Sequence, residues 1–249
     1  MCCTFIPCLE VYVFRVVQIL TGGCEVCSTL VNSMLSVRTV RIVLFVSPGL
    51  PDKVLSLANE LSTILSHVFP EDPMIMPVPA DVPPDFPSAV FQRAGVGQLT
   101  VARSRADLVL ELKDHDSWQE TFLDATERLA SSLVRAKASI VRVGLVLTYV
   151  FSDSVTIADI QEGYLRAGKA KDAEEINVAW LKRVRWQDAL INRWVRLTFS
   201  SEPTGERSLM IDLNTPSGVP MNFNVALVGE YVSYWFAELD EKLGDIIEW

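Results

Sequence analysis

The stretch ASIVRVGLVLTYVFS, residues 138–152, decides how this chain is divided. It is rich in β-branched and aromatic residues and reads as one long strand. It follows directly on SWQETFLDATERLASSLVRAK (117–137), an amphipathic helical pattern in which Ser117 and Glu120 have capping-box spacing. An earlier run, VRTVRIVLFVS (37–47), has the same character and opens the same order of elements. Behind it, DKVLSLANELSTILSHVF (52–69) reads as a helix, with Asp52 as its candidate cap. SAVFQRA, GQLTVARS and ADLVLELK then read as three short strands, with AGVG (94–97) as a hairpin turn. After residue 152 the order returns. VTIADIQEGYLRAG (155–168) reads as a short helix, and INVAWLKRVRWQD, INRWVRLTFSS and RSLMIDLNT read as strands. NVALVGEYVSYWFAELDEKLGDIIEW (224–249) closes the chain as a long helix.

The expected fold class is therefore α+β: two similar β-α-β-β-β-α halves forming antiparallel sheet, with helices packed on one face. The halves are residues 34–137 and 138–249. Residues 1–33 are set apart as a poorly defined N-terminal extension. Their run FIPCLEVYVFRVVQIL is broken by Glu10 and Arg15, which argues against a membrane span, and Met34 directly precedes the first clean strand. The alternative is that EVYVFRVVQIL adds a strand to a sheet edge. PEDPMIMPVPADVPPDFP (70–87) holds seven prolines, each fixing φ and removing a donor, so it reads as a stiff surface connection.

This element order resembles two recurring designs, the duplicated TATA-binding-protein-like fold and the helix-grip fold. The first implies a saddle of sheet, and the second a ligand cavity under the closing helix. In VRVGLVLTYVF, INRWVRLTF and LMIDLNT, together with the closing amphipathic helix, the chain is also similar to a sporadically distributed, uncharacterised bacterial protein family of similar length. That resemblance implies no activity and carries no site residue.

With 31 acidic and 22 basic residues the net charge is −9, which repels the phosphates of duplex nucleic acid. All five cysteines lie in the first 27 residues, so the body reads as a reduced, cytoplasmic protein with no disulfide scaffold. Cys24 and Cys27 form a Cys-x-x-Cys, but no second knuckle completes a four-ligand zinc site. His67 and His115 fall in different elements and read as solvated. No nucleophile elbow, Walker loop or His-Glu-x-x-His helix occurs. Neither a catalytic residue nor a cofactor or metal is expected.

The constellation that carries function is aromatic and basic. Alternation places Trp180, Lys182, Val184 and Trp186 on one face of their strand, and Asn192, Trp194, Arg196 and Thr198 on one face of the next. Trp180, Lys182, Trp186, Trp194 and Arg196 are expected to share an exposed surface. Arg183 and Arg185 conflict with that grouping, since they would then point inward. The expected function is non-catalytic binding, through protein–protein contact, self-association or a small ligand. The alternative is nucleotide or single-stranded nucleic-acid binding by stacking on the tryptophans.

Overall fold

The computed structural model describes residues 35–50, 54–79, 81–112, 117–156, 174–200, 202, 205–218 and 221–247. The N-terminal extension with its five cysteines, Asp52, His115 and nearly all of the helix expected over 155–168 lie outside the described residues.

The first strand, β1 (Leu35–Ser47), leads into α1 (Val54–Ile64). Within the proline-rich connection lies a two-residue strand, β2 (Met74–Ile75), which pairs with β3 (Pro87–Arg93). Two further short strands, β4 (Gly97–Ala102) and β5 (Arg105–Glu111), precede α2 (Trp118–Arg135). The second long strand is β6 (Ser139–Phe151). It is followed by β7 (Glu175–Trp186), β8 (Ala189–Ser200), β9 (Arg207–Asn214) and α3 (Val225–Ile247). The nine strands form one antiparallel sheet in the order β2-β3-β4-β5-β1-β6-β9-β8-β7.

Period-two burial sorts the sheet into two faces. In the centre, Ile42 stands between Leu108 of β5 and Leu145 of β6, and all three are fully buried. This face joins one core cluster with Leu57 and Leu61 of α1, Phe122 and Leu129 of α2, and Tyr231, Val232 and Trp235 of α3. The opposite face carries Arg41, Val109, Val146, Met210 and Asp212, which stay partly exposed and outside that cluster. Arg41 donates through Nε to Asp107 Oδ1 at 2.8 Å, and its second guanidinium nitrogen closes a two-point ion pair with Oδ2. The guanidinium and Asp107 thus neutralise each other in the middle of this face.

The helices are held by ordinary means. Ser117 occupies the N-cap of α2, but its side chain makes no cap hydrogen bond, so the capping box read from Ser117 and Glu120 does not form. Burial of Phe122, Ala125, Leu129 and Leu133 secures α2 instead. Glu60 of α1 accepts from Arg135 Nε at 2.8 Å, tying the two helices at their exposed side. The aromatic stripe of α3 is core: Tyr231, Trp235 and Leu239 are buried, whereas Tyr234 is exposed.

Tyr231 donates its hydroxyl to the Leu213 carbonyl at 3.0 Å, beneath β9. Burial pushes its pKa far above the ordinary 10.0, and the charge of Asp212 adds to the shift. Tyr149 is raised in the same way, by burial first and Asp240 second. A raised folded pKa means the unfolded chain ionises first. The contribution is intact below pH 10 and is lost as pH climbs above it. Urea unfolding followed by circular dichroism should therefore show stability falling by about 1.4 kcal/mol per pH unit per tyrosine above pH 10. Tyr231→Phe should remove one share of that slope. A slope unchanged by Tyr231→Phe would refute the assignment.

Candidate functional site

The aromatic and basic segment forms the β7–β8 hairpin, at one end of the sheet. A two-residue turn, Gln187–Asp188, joins the strands, with Gln187 at φ 50°. The turn pairs Trp186 with Ala189, and the register runs without a bulge to Glu175 opposite Ser200. In an antiparallel pair, directly opposed residues share a face. Even-numbered residues of β7 therefore share a face with odd-numbered residues of β8.

That parity corrects the expected grouping. Trp180 stands opposite Val195, Lys182 opposite Arg193, and Trp186 opposite Ala189. These belong to the face that carries the helices. Trp186 is buried, stacked at 6.2 Å on Phe223 and edge-on at 5.0 Å to Tyr231. Trp180 is half-buried and packs against the core, while Lys182 is exposed at the rim. Arg193 lies on the same face and is nearly buried, with an Nε that finds no hydrogen-bond partner among the described residues. Burial holds the Arg193 guanidinium below its ordinary value, and Glu238 of α3 partly offsets that.

Trp194 and Arg196 occupy the opposite face, as expected for β8, and both are exposed. Their true neighbours are Leu181, which faces Trp194 directly, and Arg183, which faces Asn192. Beyond these, Arg185 faces Leu190 next to the turn. Leu181, Leu190 and Trp194 are 42%, 47% and 42% exposed, a high value for three large apolar side chains on adjoining strands. Arg183, Arg185 and Arg196 make no ion pair among the described residues. The surface is thus three apolar side chains interleaved with three uncompensated cations, on a chain of net charge −9.

A cavity of 610 Å³ opens at the turn end of this surface. Arg183, Leu190 and Asn192 line it from the strands, Gln187 and Asp188 from the turn, and Pro216 and Met221 from the segment after β9. Asn192 donates to Asn214 Oδ1 at 3.3 Å, and Gln187 reaches Glu230 Oε2 at 3.3 Å. These bonds tie the mouth to β9 and α3. The lining combines apolar walls with a cation, a carboxylate and two amides, a mixture suited to holding an inserted side chain or a small polar ligand.

The signal that would have found Leu181, Arg183, Arg185 and Leu190 is the composition of the two faces of β7. Even positions carry Ile176, Val178, Trp180, Val184 and Trp186 with a single lysine, whereas odd positions carry Glu175, Asn177, Ala179, Leu181, Arg183 and Arg185. The more apolar set belongs to the core. Elsewhere, His67 Nε2 lies 3.3 Å from Asp124 Oδ2, both half exposed. Among the described residues no cluster of three or more His, Cys, Asp or Glu could hold a metal ion, and no helix is long and apolar enough to cross a membrane. No family model matches the chain, and no curated protein matches it.

Proposed function

We propose that the chain is a non-catalytic binding protein that docks an acidic, aromatic or aliphatic protein segment on the outer face of the β7–β8 hairpin. The observation that carries this reading is the exposure of Leu181, Leu190 and Trp194 on one face among Arg183, Arg185 and Arg196. Exposed apolar side chains lose contact with water when covered, and arginines outside ion pairs gain by meeting carboxylates. Trp and Arg are also the side chains most often found as interface anchors. The adjoining cavity gives a partner side chain, or a small ligand, a place to enter.

Stacking of bases on this surface is the weaker reading. Only Trp194 of the three tryptophans faces it, so a row of stacking platforms is not available, and the net charge of −9 opposes phosphate approach.

The strand order also supports the two-half design. It runs β3-β4-β5-β1 and then β6-β9-β8-β7, the same arrangement read from either end. On that reading β7–β8 is the counterpart of β3–β4, as the TATA-binding-protein-like resemblance implies. An ancient duplication would then have produced two sheet ends, of which one became aromatic and basic.

The test is a displayed peptide library panned against the full chain. Selected peptides should be rich in Asp or Glu beside aromatic residues. Their affinity should fall by roughly thirtyfold or more in Trp194→Ala, as for a hot-spot side chain. Arg196→Ala should act in the same direction and make binding less sensitive to salt. Peptides without acidic residues, or equal binding by both variants, would sink the proposal. Preferential binding of single-stranded oligonucleotides would favour the stacking reading instead.

A further inference from the structure

β7 is the last strand in the sheet order, and among the described residues nothing pairs with its outer edge. The two-residue turn makes Trp186 and Ala189 the closing pair of the hairpin ladder. Trp186, Val184, Lys182 and the other even residues therefore exchange backbone hydrogen bonds with β8. The amides and carbonyls of Glu175, Asn177, Ala179, Leu181, Arg183 and Arg185 point outward. Twelve residues of extended strand, roughly 40 Å at the usual rise, carry this edge, which is unpaired among the described residues. Such an edge is a template for another strand unless it is blocked, and β7 contains neither a proline nor a break in its register with β8.

The charges along β7 are sorted by position. Glu174 and Glu175 stand at its start, and Lys182, Arg183 and Arg185 in its second half. A parallel strand of the same sequence would set like against like. An antiparallel one brings the basic half of each copy against the acidic start of the other. We propose that two copies of this chain join edge to edge through β7, antiparallel, about a two-fold axis perpendicular to the sheet at Trp180. Opposed residues must share a face, so only alternate registers are allowed. Two of these keep nearly the whole strand paired. With Trp180 opposite its own copy, Glu175 meets Arg185, Asn177 meets Arg183, and Ala179 meets Leu181. On the helix side Ile176 then meets Val184, and Val178 meets Lys182. No like charges are opposed. The other register centres on Leu181 and leaves Glu175 without its arginine.

The axis preserves the faces of the sheet, so the two outer faces continue into one another across the junction. Trp194 of each copy then flanks the joint, and a bivalent partner could span both. The joint forms along the strand's edge and draws Leu181, Arg183 and Arg185 of the outer face into it, whereas Trp194 and Arg196 lie one strand further in, on β8, and keep the docking reading separately testable.

Sedimentation velocity of the full chain tests it. The wild type should be a dimer that dissociates on dilution. Arg185→Glu, which sets a second carboxylate against Glu175 of the other copy, should raise the dissociation constant by about tenfold or more. Combining it with Glu175→Arg should restore the dimer. Ala179→Pro removes an outward N–H while leaving the ladder to β8 intact, so it should give a folded monomer whose melting temperature matches that of the wild type diluted below its dissociation constant. A wild type that stays monomeric at every accessible concentration overturns the proposal, as does a dimer that survives Ala179→Pro. Failure of the double exchange to restore association overturns the register. A monomer that still binds acidic peptides through Trp194 would remove this inference and leave the docking surface standing.

Discussion

Trp186→Ala is expected to lower the free energy of unfolding by about 3–5 kcal/mol, whereas Trp194→Ala, eight residues further on, should change it by about 0.5 kcal/mol or less. The difference follows from what each indole touches. Trp186 is 3% exposed and sits among Phe223, Tyr231 and the core-facing end of β7. Its removal leaves a cavity bounded by two rings that are themselves fixed, Phe223 through its bridge to Ile140 and Tyr231 through its bond to Leu213. Little can collapse to fill the space, which places the cost at the upper end for a large-to-small change. Trp194 is 42% exposed and its loss leaves no enclosed void. Chemical denaturation of the two variants beside the wild type checks this. Similar losses in both would mean that the two tryptophans share one environment, contrary to the register.

The same pair of residues shows where the sequence is legible and where it is not. Alternation along each strand is a local property, and it correctly separates Trp194 and Arg196 from Val195, Leu197 and Phe199. Joining one strand's face to the next depends on the turn between them. Two turn residues, Gln187 and Asp188, place even positions of β7 beside odd positions of β8. A three-residue turn would have reversed that and produced the expected three-tryptophan surface. The difficulty with Arg183 and Arg185 pointing inward is the local sign of the error. With the parity corrected, both arginines reach solvent, and Trp180 and Trp186 move toward the core. The arginine that does point inward is Arg193, opposite Lys182.

Element identity is the most readable layer, because β1 and β6 are long runs of Val, Ile and Leu, and α2 and α3 have sustained helical spacing. The helix boundaries and the adjacency of strands are less so. That β1 and β6 lie side by side at the centre, paired over nearly their full lengths, depends on contacts about a hundred residues apart in sequence, which no local pattern encodes. The two residues of β2 merge into the proline-rich connection in the sequence, because a strand that short has no period to detect. Ser117 and Glu120 have the spacing of a capping box, but spacing does not dictate rotamer, and the Ser117 side chain bonds no backbone amide of the first turn.

Gly97→Ala should be the second severe change, costing roughly 3 kcal/mol or more, although it adds a single methyl group. AGVG reads as the turn between β3 and β4, and its two glycines have different duties. Gly95 lies in the turn at φ 69°, where a left-handed backbone reverses the chain. Gly97 begins β4 at φ 150°, a conformation that side chains rarely permit. It pairs with Leu110 of β5, and a Cβ built on it would lie 2.1 Å from the Val109 carbonyl oxygen and 3.0 Å from the Leu110 Cα. Both obstacles are backbone, so no rotamer change can relieve them. The strands would have to separate where Glu111 donates its amide to the Val96 carbonyl at 2.8 Å. The energy therefore has two sources, the unfavourable φ and the lost close approach of β4 to β5. Gly144 offers the control. It sits between Val43 and Asn214 in the middle of the sheet, where an added Cβ would meet only the Asn214 Cβ at 3.8 Å, an ordinary contact. Gly144→Ala should change stability by about 1 kcal/mol or less, since an alanine also limits the unfolded chain. Thermal unfolding of the two variants separates the explanations. A large loss at Gly97 with little change at Gly144 is the expected result. Equal losses would mean that the sheet resists any added methyl group, and the special geometry of Gly97 would then explain nothing.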